Sequence, residues 1–568
     1  MRVQSRRLWR WWFTLKKDKA SMAISIHQTS ESGVHPIPRG TKFLWGLGGF
    51  TDATIVYGLF SLVNSIYINA LGVNAVLVGL ACALPRLLDS ISDPVVGYLS
   101  DNTRSRWGRR RPWLLAGLLI CAVSGLLLWN APLSRNAKTP GFGAAPAATA
   151  FDSANPARPS AGDSIEGSGA REQESWWTTA GKAIGMEWET FLYLTVMITL
   201  LMAVGYTLFN VPHYAMGYEM TTDYNERTHL FKWRFVFFSA AGFMTPWLLP
   251  LCMWFEGDRA QVLRGSQGVL AVAVIVGVVI LATGIPSLFC KGRVEVMKHE
   301  TKVRFSDAVR LTLANRPFMI LLASNFIARF GMAITGVFFY YVFVYHIGKG
   351  EQLAGAALLA VFFNIINIAT FIAMAPIAAL SARIGKKSTL VLMLAMSAVA
   401  YASLLVTFTN SDDSFIRYGF TLGAFSFTLF MQWPSIVTGV LIGIFTNTMP
   451  MITNSMIADT CDYDELQCGK RREGFYSAVY TSVEKMAWSV SLAFQGVLLA
   501  ASGFNAMLTN QAAETIQYWI LALVITQPLG FLLGVAVIVF YPLTRARVEE
   551  IRSTLDARTR AATVRERS

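Results

Sequence analysis

An all-α polytopic membrane protein, with twelve transmembrane helices in two pseudo-symmetric six-helix bundles, is predicted by three observations. Of 568 residues, 54% are hydrophobic and only 15% are Asp, Glu, Lys or Arg, against roughly a quarter charged in soluble domains. The mean hydropathy is +0.44, and apolar runs of roughly 18 to 27 residues recur along the chain, each long enough to cross about 30 Å of hydrocarbon. Polar loop motifs of the first half also return, in the same order, in the second.

The spans begin near Phe43, Asn74, Trp113, Trp188, Phe235 and Gly268, then near Phe318, Gln352, Thr389, Pro434, Phe475 and Gln517. Residues 1–42 form a basic tail, 43–290 the first bundle, 291–317 a central loop, 318–541 the second bundle and 542–568 a C-terminal tail. Arg6-Arg7 and the stretch Trp9 to Phe13 resemble a twin-arginine export signal. Arg10 interrupts its apolar region, so the stretch reads as a juxtamembrane tail, and either Met1 or Met22 serves as the start.

With both tails in the cytoplasm, 37 of the 49 Lys and Arg lie inside and 9 outside, leaving Arg86, Arg329 and Lys485 within spans. The positive-inside rule thereby sets the orientation. The formal net charge of +14 is then a topology signal, and no nucleic-acid partner is expected. Cys82, Cys121, Cys252, Cys290, Cys461 and Cys468 show no C-x-x-C spacing and read as small apolar residues. The sequence has no N-x-[ST] acceptor, which favours a bacterial inner membrane.

The repeat has two parts. A basic loop, Arg104 to Arg111 around Gly108, follows the second span, and Arg383 to Lys387 around Gly385 follows the eighth. Asp223-Tyr224-Asn225-Glu226 follows the fourth span, and Asp462-Tyr463-Asp464-Glu465 the tenth. The first half is the longer by an Ala, Pro, Gly and Ser-rich stretch, 132–175, of a periplasmic insertion (132–187) that is expected to be partly disordered. Repeated six-helix bundles are a transporter architecture, with the substrate near mid-membrane between the halves.

Ionisable residues inside spans cost roughly 2.5–3.5 kcal/mol each on insertion scales, so the few present are informative. They are Asp52, the triplet Arg86, Asp89 and Asp93, then Arg329, Glu484 and Lys485. Spacings of three and four put the triplet on one helix face. One guanidinium cannot neutralise two carboxylates, and the remaining charge calls for a proton or a metal ion. The plainer alternative is a structural Arg86–Asp89 pair with Asp93 acting locally beside Pro94.

The run Asp89-Ser90-Ile91-Ser92-Asp93-Pro94-Val95-Val96-Gly97, continued by Arg104-Ser105-Arg106-Trp107-Gly108-Arg109-Arg110-Arg111-Pro112-Trp113, resembles the signature of the glycoside-pentoside-hexuronide:cation symporters. That is the melibiose-permease family of the major facilitator superfamily. Thr207-Leu208-Phe209-Asn210-Val211-Pro212-His213-Tyr214, the loop Asp223 to Arg234, and the stretch Asp462 to Lys485 extend the resemblance over roughly residues 43–541, outside the insertion. It implies the major facilitator fold and a symporter importing a glycoside, pentoside or hexuronide with Na⁺ or H⁺, without another cofactor or metal. The chain is read as a monomer in the lipid bilayer.

By that resemblance Asp89 and Asp93 are the cation carboxylates and Thr207 a neighbouring oxygen donor. Lys485, ten residues past Phe475 and so about 15 Å into its span, is the cation that organises the site. Ser92 offers another oxygen and Arg86 a second coupling charge. Hard oxygen donors suit Na⁺ or H⁺ rather than a transition metal. Where melibiose carriers place acids on spans one and four, this chain has Ala53, with Asp52 one position earlier, and Asn210. The resulting pocket is less anionic, and Arg234 and Arg329 permit an acidic sugar such as a uronide, with a neutral glycoside at least as well supported. Asp52, Asn210, Tyr214, Arg234 and Arg329 are the substrate-binding candidates. Tyr214 is placed to stack on a sugar ring, with Tyr206 as further aromatic surface; packing is the plainer reading of Tyr340 and Tyr341.

Arg104, Arg109 and Arg110 are candidates for a cytoplasmic gate with Asp223, Glu226, Asp462 and Glu465; anchoring of the basic loops to anionic lipid is the alternative. The six histidines form no H-E-x-x-H or comparable cluster, so no enzyme is expected. A major-facilitator carrier of a lysolipid or other amphiphile is the alternative function. A transporter-like sensor would leave the carboxylate pair without a purpose.

Overall fold

The computed structural model describes residues 37–58, 62–103, 105–130, 188–220, 224–256, 267–290, 314–409, 415–422, 425–468, 473–505, 508 and 510–567. Most of the basic tail, the insertion 132–187, most of the central loop, Arg104 and Asp223 lie outside the described residues.

Among the described residues, twelve helical segments run in sequence order. The first half comprises α1 (described over 39–58 and 62–70), α2 (Ala75–Asn102), α3 (Arg111–Leu127), α4 (Trp188–Gly217), α5 (224–256) and α6 (Gln267–Phe289). The second comprises α7 (Arg316–Ile347), α8 (Gln352–Ile384), α9 (Lys386–Phe408), α10 (Trp433–Cys468), α11 (Glu473–Ala501) and α12 (Ala513–Ile538). Among the described residues, eight of these helices are long and apolar enough to cross a membrane, and α3 is a shorter apolar helix. The other three, α1, α2 and α11, carry Asp52, the Arg86–Asp89–Asp93 triplet and the Glu484–Lys485 doublet. Polarity here marks the site rather than the end of the membrane.

Helix ends follow local chemistry. The Asn74 side chain accepts from the Val76 N–H at 2.9 Å to cap α2, and the Asn315 side chain accepts from Phe318 N–H at 3.1 Å at the start of α7, each satisfying an orphan donor of the first turn. The two repeated basic loops turn at Gly108 and Gly385, with φ of +100° and +86°. A Cβ disfavours that region, so the repeat seen in the letters is also a repeat of backbone conformation.

These loops, Ile37 at the start of the described chain and the helix that closes it lie at one end of the bundle, here termed the basic face. At the opposite end β1 (Phe415–Leu422) and β2 (Phe425–Gln432) pair antiparallel, with Phe415 opposite Gln432 and Leu422 opposite Phe425. This hairpin departs from the all-helical expectation; the Phe, Ile, Tyr and Thr content of 415–432 is typical of strands, but the run is also apolar enough to be taken for the approach to a span.

The halves meet where α2 packs along α11 and α5 along α8. A Cβ added to Gly496 would stand 2.3 Å from the Ala75 carbonyl oxygen, and one added to Gly79 2.8 Å from that of Leu492. Backbone therefore touches backbone toward the hairpin face, the close approach that small residues permit between membrane helices. Tyr341 donates to Asn69 at 3.0 Å and Asn367 to the Gly242 carbonyl at 3.0 Å across the same divide. Gly496→Leu is expected to abolish transport while the protein still reaches the membrane. Counterflow set against membrane abundance measures this, and normal counterflow would show that the contact is dispensable.

The C-terminal tail contains a helix, α13 (Arg545–Arg567), that lies on the basic face of the second half. Ile551 is buried beneath it, and the spacing Val548, Ile551, Leu555 supplies the apolar stripe that holds an amphipathic helix to a surface. Arg552 contacts Asp459 at 2.9 Å and Asp462 at 3.2 Å, and Lys386, from the repeated loop, bonds both Asp459 oxygens at 2.7 Å. Arg552→Ala is expected to loosen α13, read as faster limited trypsin cleavage at Arg545 and Arg547; an unchanged digestion rate would mean that Ile551 alone anchors it. All six cysteines are free thiols, and burial pushes the Cys290 thiol, just beyond α6, up to about 11 despite the opposing pull of Arg111.

Candidate functional site

The 3.6-residue period of α2 sets Arg86, Asp89 and Asp93 along the face that meets α11. From α11, Lys485 Nζ reaches Asp93 Oδ2 at 2.6 Å and Asp89 Oδ2 at 3.0 Å. Arg86 NH1 stands farther off, 4.0 Å from the same Asp89 oxygen. Asp89 is fully buried, whereas the Asp93 side chain retains 26% of its exposure. From α4, Thr207 Oγ1 donates to Asp89 Oδ1 at 2.7 Å and lies 3.3 Å from Ser92 Oγ, which donates to the Asp89 carbonyl at 3.1 Å. The structure thus brings together Arg86, Asp89, Ser92, Asp93, Thr207 and Lys485, with one ammonium shared between two carboxylates.

The stretch of α4 just before Thr207, Thr199–Tyr206, is a π-helix. Such wide turns often occur at functional sites. Here the wide turn ends where α4 presents Tyr206, Thr207 and Asn210. Thr207 faces the carboxylates of α2, while Tyr206 and Asn210 enter a second cluster.

That cluster centres on a buried ion pair, Arg234 NH2 to Asp52 Oδ2 at 2.6 Å. Tyr206 donates to Asp52 Oδ1 at 2.7 Å, and Asn210 Nδ2 donates to the Tyr206 hydroxyl at 2.9 Å. Arg234 also donates to the Tyr214 hydroxyl at 2.6 Å and to Asn210 Oδ1 at 3.3 Å, with its guanidinium carbon 3.7 Å from the Tyr214 ring centroid. Asp52, Asn210, Tyr214 and Arg234 are therefore assembled from α1, α4 and α5 into one network. Tyr206, read from sequence only as aromatic surface, is its hinge; the signal was its place one turn before Asn210. His213 stacks on Trp45 with ring centroids 4.8 Å apart and pins α4 to α1 below the network.

Arg329 does not join this network. It pairs with Glu484 of α11, NH2 to Oε1 at 3.4 Å, so the second half presents a charge pair of its own. Glu484 carried a signal, an acid inside a span beside Lys485, but its partner lies in another helix and no spacing reveals it. Tyr340 packs edge-on to Tyr341 at 5.3 Å, and Tyr341 lies 5.3 Å from Trp519, which puts both in an aromatic core away from the clusters.

Of the gate candidates on the basic face, Glu226 pairs with Lys42 at 2.8 Å and accepts from the Ile37 N–H at 2.8 Å, contacts within the first half. Asp462 meets Arg552 of α13. Arg110 is buried and Arg109 lies in the Gly108 loop, while Glu465 lies near the end of α10.

Two buried ionic clusters on facing spans, joined through one helix of a repeated six-helix bundle, define a polytopic membrane carrier. Residues 45–149 and 176–545 match the family model described as MFS/sugar transport protein, and the chain belongs to that family. The inner membrane symporter YicJ of Escherichia coli is 25% identical over 521 residues, covering 90% of this chain and 94% of that protein. The isoprimeverose transporter of Lactiplantibacillus pentosus is 22% identical over 537 residues, covering 92% and 94%. Among solved structures, a variant of the nucleoside transporter NupG superposes with a TM-score of 0.54 at 10% identity, covering 88% of this chain and 99% of that one, which establishes the major facilitator fold. The chain is an integral membrane transporter, not an enzyme.

Proposed function

We propose that this chain is a secondary active symporter that couples a monovalent cation, Na⁺ or H⁺, to import of a glycoside, pentoside or hexuronide across the bacterial inner membrane. The observation that carries the reading is that Thr207 and Asn210, three residues apart on α4, touch different clusters. Thr207 bonds the Asp89 carboxylate, and Asn210 belongs to the Asp52–Arg234 network. A cation held by Asp89 and Asp93 with Ser92 and Thr207 would fix the helix that also presents the sugar groups, so each ligand raises the affinity of the other. Lys485 and Arg86 are the coupling charges, since a cation entering between the carboxylates competes with the Lys485 ammonium.

The moving bodies are residues 43–290 and 318–541, linked through 291–317, with the basic face and both termini in the cytoplasm. Arg104, Arg109 and Arg110 with Asp223, Glu226, Asp462 and Glu465 make the gate on that face. An amphiphile carrier would need an apolar cavity, and the buried charges of α1, α2, α5 and α11 speak for a polyhydroxylated cargo instead. Counterflow in proteoliposomes with a panel of glycosides, pentosides and uronides, with and without Na⁺, tests the proposal. Saturable, cation-stimulated exchange of at least one sugar is expected, and its absence across the panel would overturn it.

A further inference from the structure

Resting on the symporter reading above, we propose that Glu484 is a positioning residue for cation coupling: held by Arg329 of α7, it fixes the rotation of α11 that delivers the Lys485 ammonium to Asp89 and Asp93. α11 carries two stripes, offset from each other by one residue. Glu484, Ser491 and Gln495 recur at spacings of seven and four, and all three engage α7, a neighbour in the same half. Glu484 pairs with Arg329 at 3.4 Å, Ser491 Oγ donates to the Phe330 carbonyl at 3.5 Å, and Gln495 Nε2 donates to the Ala333 carbonyl at 2.6 Å. Lys485, Leu492 and Gly496 repeat that spacing one position later and face α2 of the other half. Lys485 meets the two carboxylates, while the Leu492 carbonyl and Gly496 lie against the backbone at Gly79 and Ala75.

Successive residues of an α-helix are turned by about 100°, so holding the first stripe on α7 aims the second at α2. The three anchors span about 16 Å of helix and are unequal. Ser491 and Gln495 secure the turns at the close backbone crossing, toward the hairpin face. Glu484 is the charged anchor of the three, and it holds the turn that bears Lys485. The charged groups about the Lys485 ammonium are Asp89, Asp93 and Arg86 of α2, with the Arg329–Glu484 pair in its own half. If that turn rolls, the ammonium no longer reaches both carboxylates at once, and a small cation meets less competition for them. Loss of an acid near a cation site through its field alone has the opposite sign, since it weakens cation binding. The direction of the effect therefore separates position from field.

The test is sugar binding in proteoliposomes, titrated with Na⁺ and, in Na⁺-free medium, with H⁺. In Glu484→Gln the half-saturating cation concentration is expected to fall at least about fivefold, the low end of coupling between two sites; for H⁺ the midpoint moves to higher pH. Glu484→Asp keeps the charge and shortens the arm by one methylene, so it should shift the value the same way. The exchanged pair Arg329→Glu/Glu484→Arg should restore the wild-type value, and in a Lys485→Gln background Glu484→Gln should shift nothing further. An unchanged or raised half-saturation in Glu484→Gln at normal membrane abundance, or an equal fall in the Lys485→Gln background, would overturn the inference while leaving the symporter reading intact. Should Glu484→Gln not reach the membrane, Glu484→Asp decides in its place. Sugar binding by the wild type that ignores both ions would instead overturn the symporter reading, and this inference with it.

Discussion

Asp93→Cys is expected to abolish concentrative sugar uptake while sugar binding survives. The substitution removes the carboxylate that Lys485 meets at 2.6 Å, but leaves Asp89 bonded to Thr207 at 2.7 Å and the Asp52–Arg234 network untouched. The coupling between two ligands of such a carrier is about 1–3 kcal/mol, a factor of roughly 5–150 in affinity. Loss of the cation site should therefore remove the cation dependence of sugar affinity by about that factor. Uptake against a gradient, counterflow, and sugar binding with and without Na⁺ separate the two effects. Full active uptake by this variant would show that the carboxylate pair is not the cation site.

Lys485→Gln is the second large effect, and it should appear first in stability. The ammonium lies 3.0 Å from Asp89 and 2.6 Å from Asp93, and removing one partner from a buried ionic group costs about 3–5 kcal/mol, because the remaining charges are stranded. Two carboxylates one turn apart would then face each other with Arg86 only at 4.0 Å. A small cation or a proton should relieve that repulsion. The melting temperature of the purified variant is expected to be well below wild type, and to recover with added Na⁺ or on acidification more steeply than wild type does. A variant as stable as wild type and indifferent to both would mean that Lys485 is incidental to the carboxylates.

The legibility of the site in the sequence follows a physical division. Asp89 and Asp93 could be found because a helix converts spacings of three and four into a shared face, and because an acid in hydrocarbon demands a reason. Lys485 could be found for the second reason. What joins them could not: Lys485 and Asp93 are 392 positions apart, and Arg234 and Asp52 are 182 apart. Arg329 illustrates the cost of that gap. Its burial was foreseen, but not its pairing with Glu484, which lies in another helix. The hairpin 415–432 and the helix α13 were missed for a different reason. The first is as apolar as the spans around it, and the second announces itself only through Val548, Ile551 and Leu555 in an otherwise charged tail.

Lys485 also bears on the half of the work cycle in which nothing is carried. A porter must swing back after unloading, and bare anions sunk in hydrocarbon would make that return slow. On the coupling proposed above, a positive group fixed to the opposite lobe, 2.6 Å from Asp93 and 3.0 Å from Asp89, is a tethered stand-in for the travelling ion, so the homeward stroke starts without naked charge. The speed of resetting would then depend on that side chain.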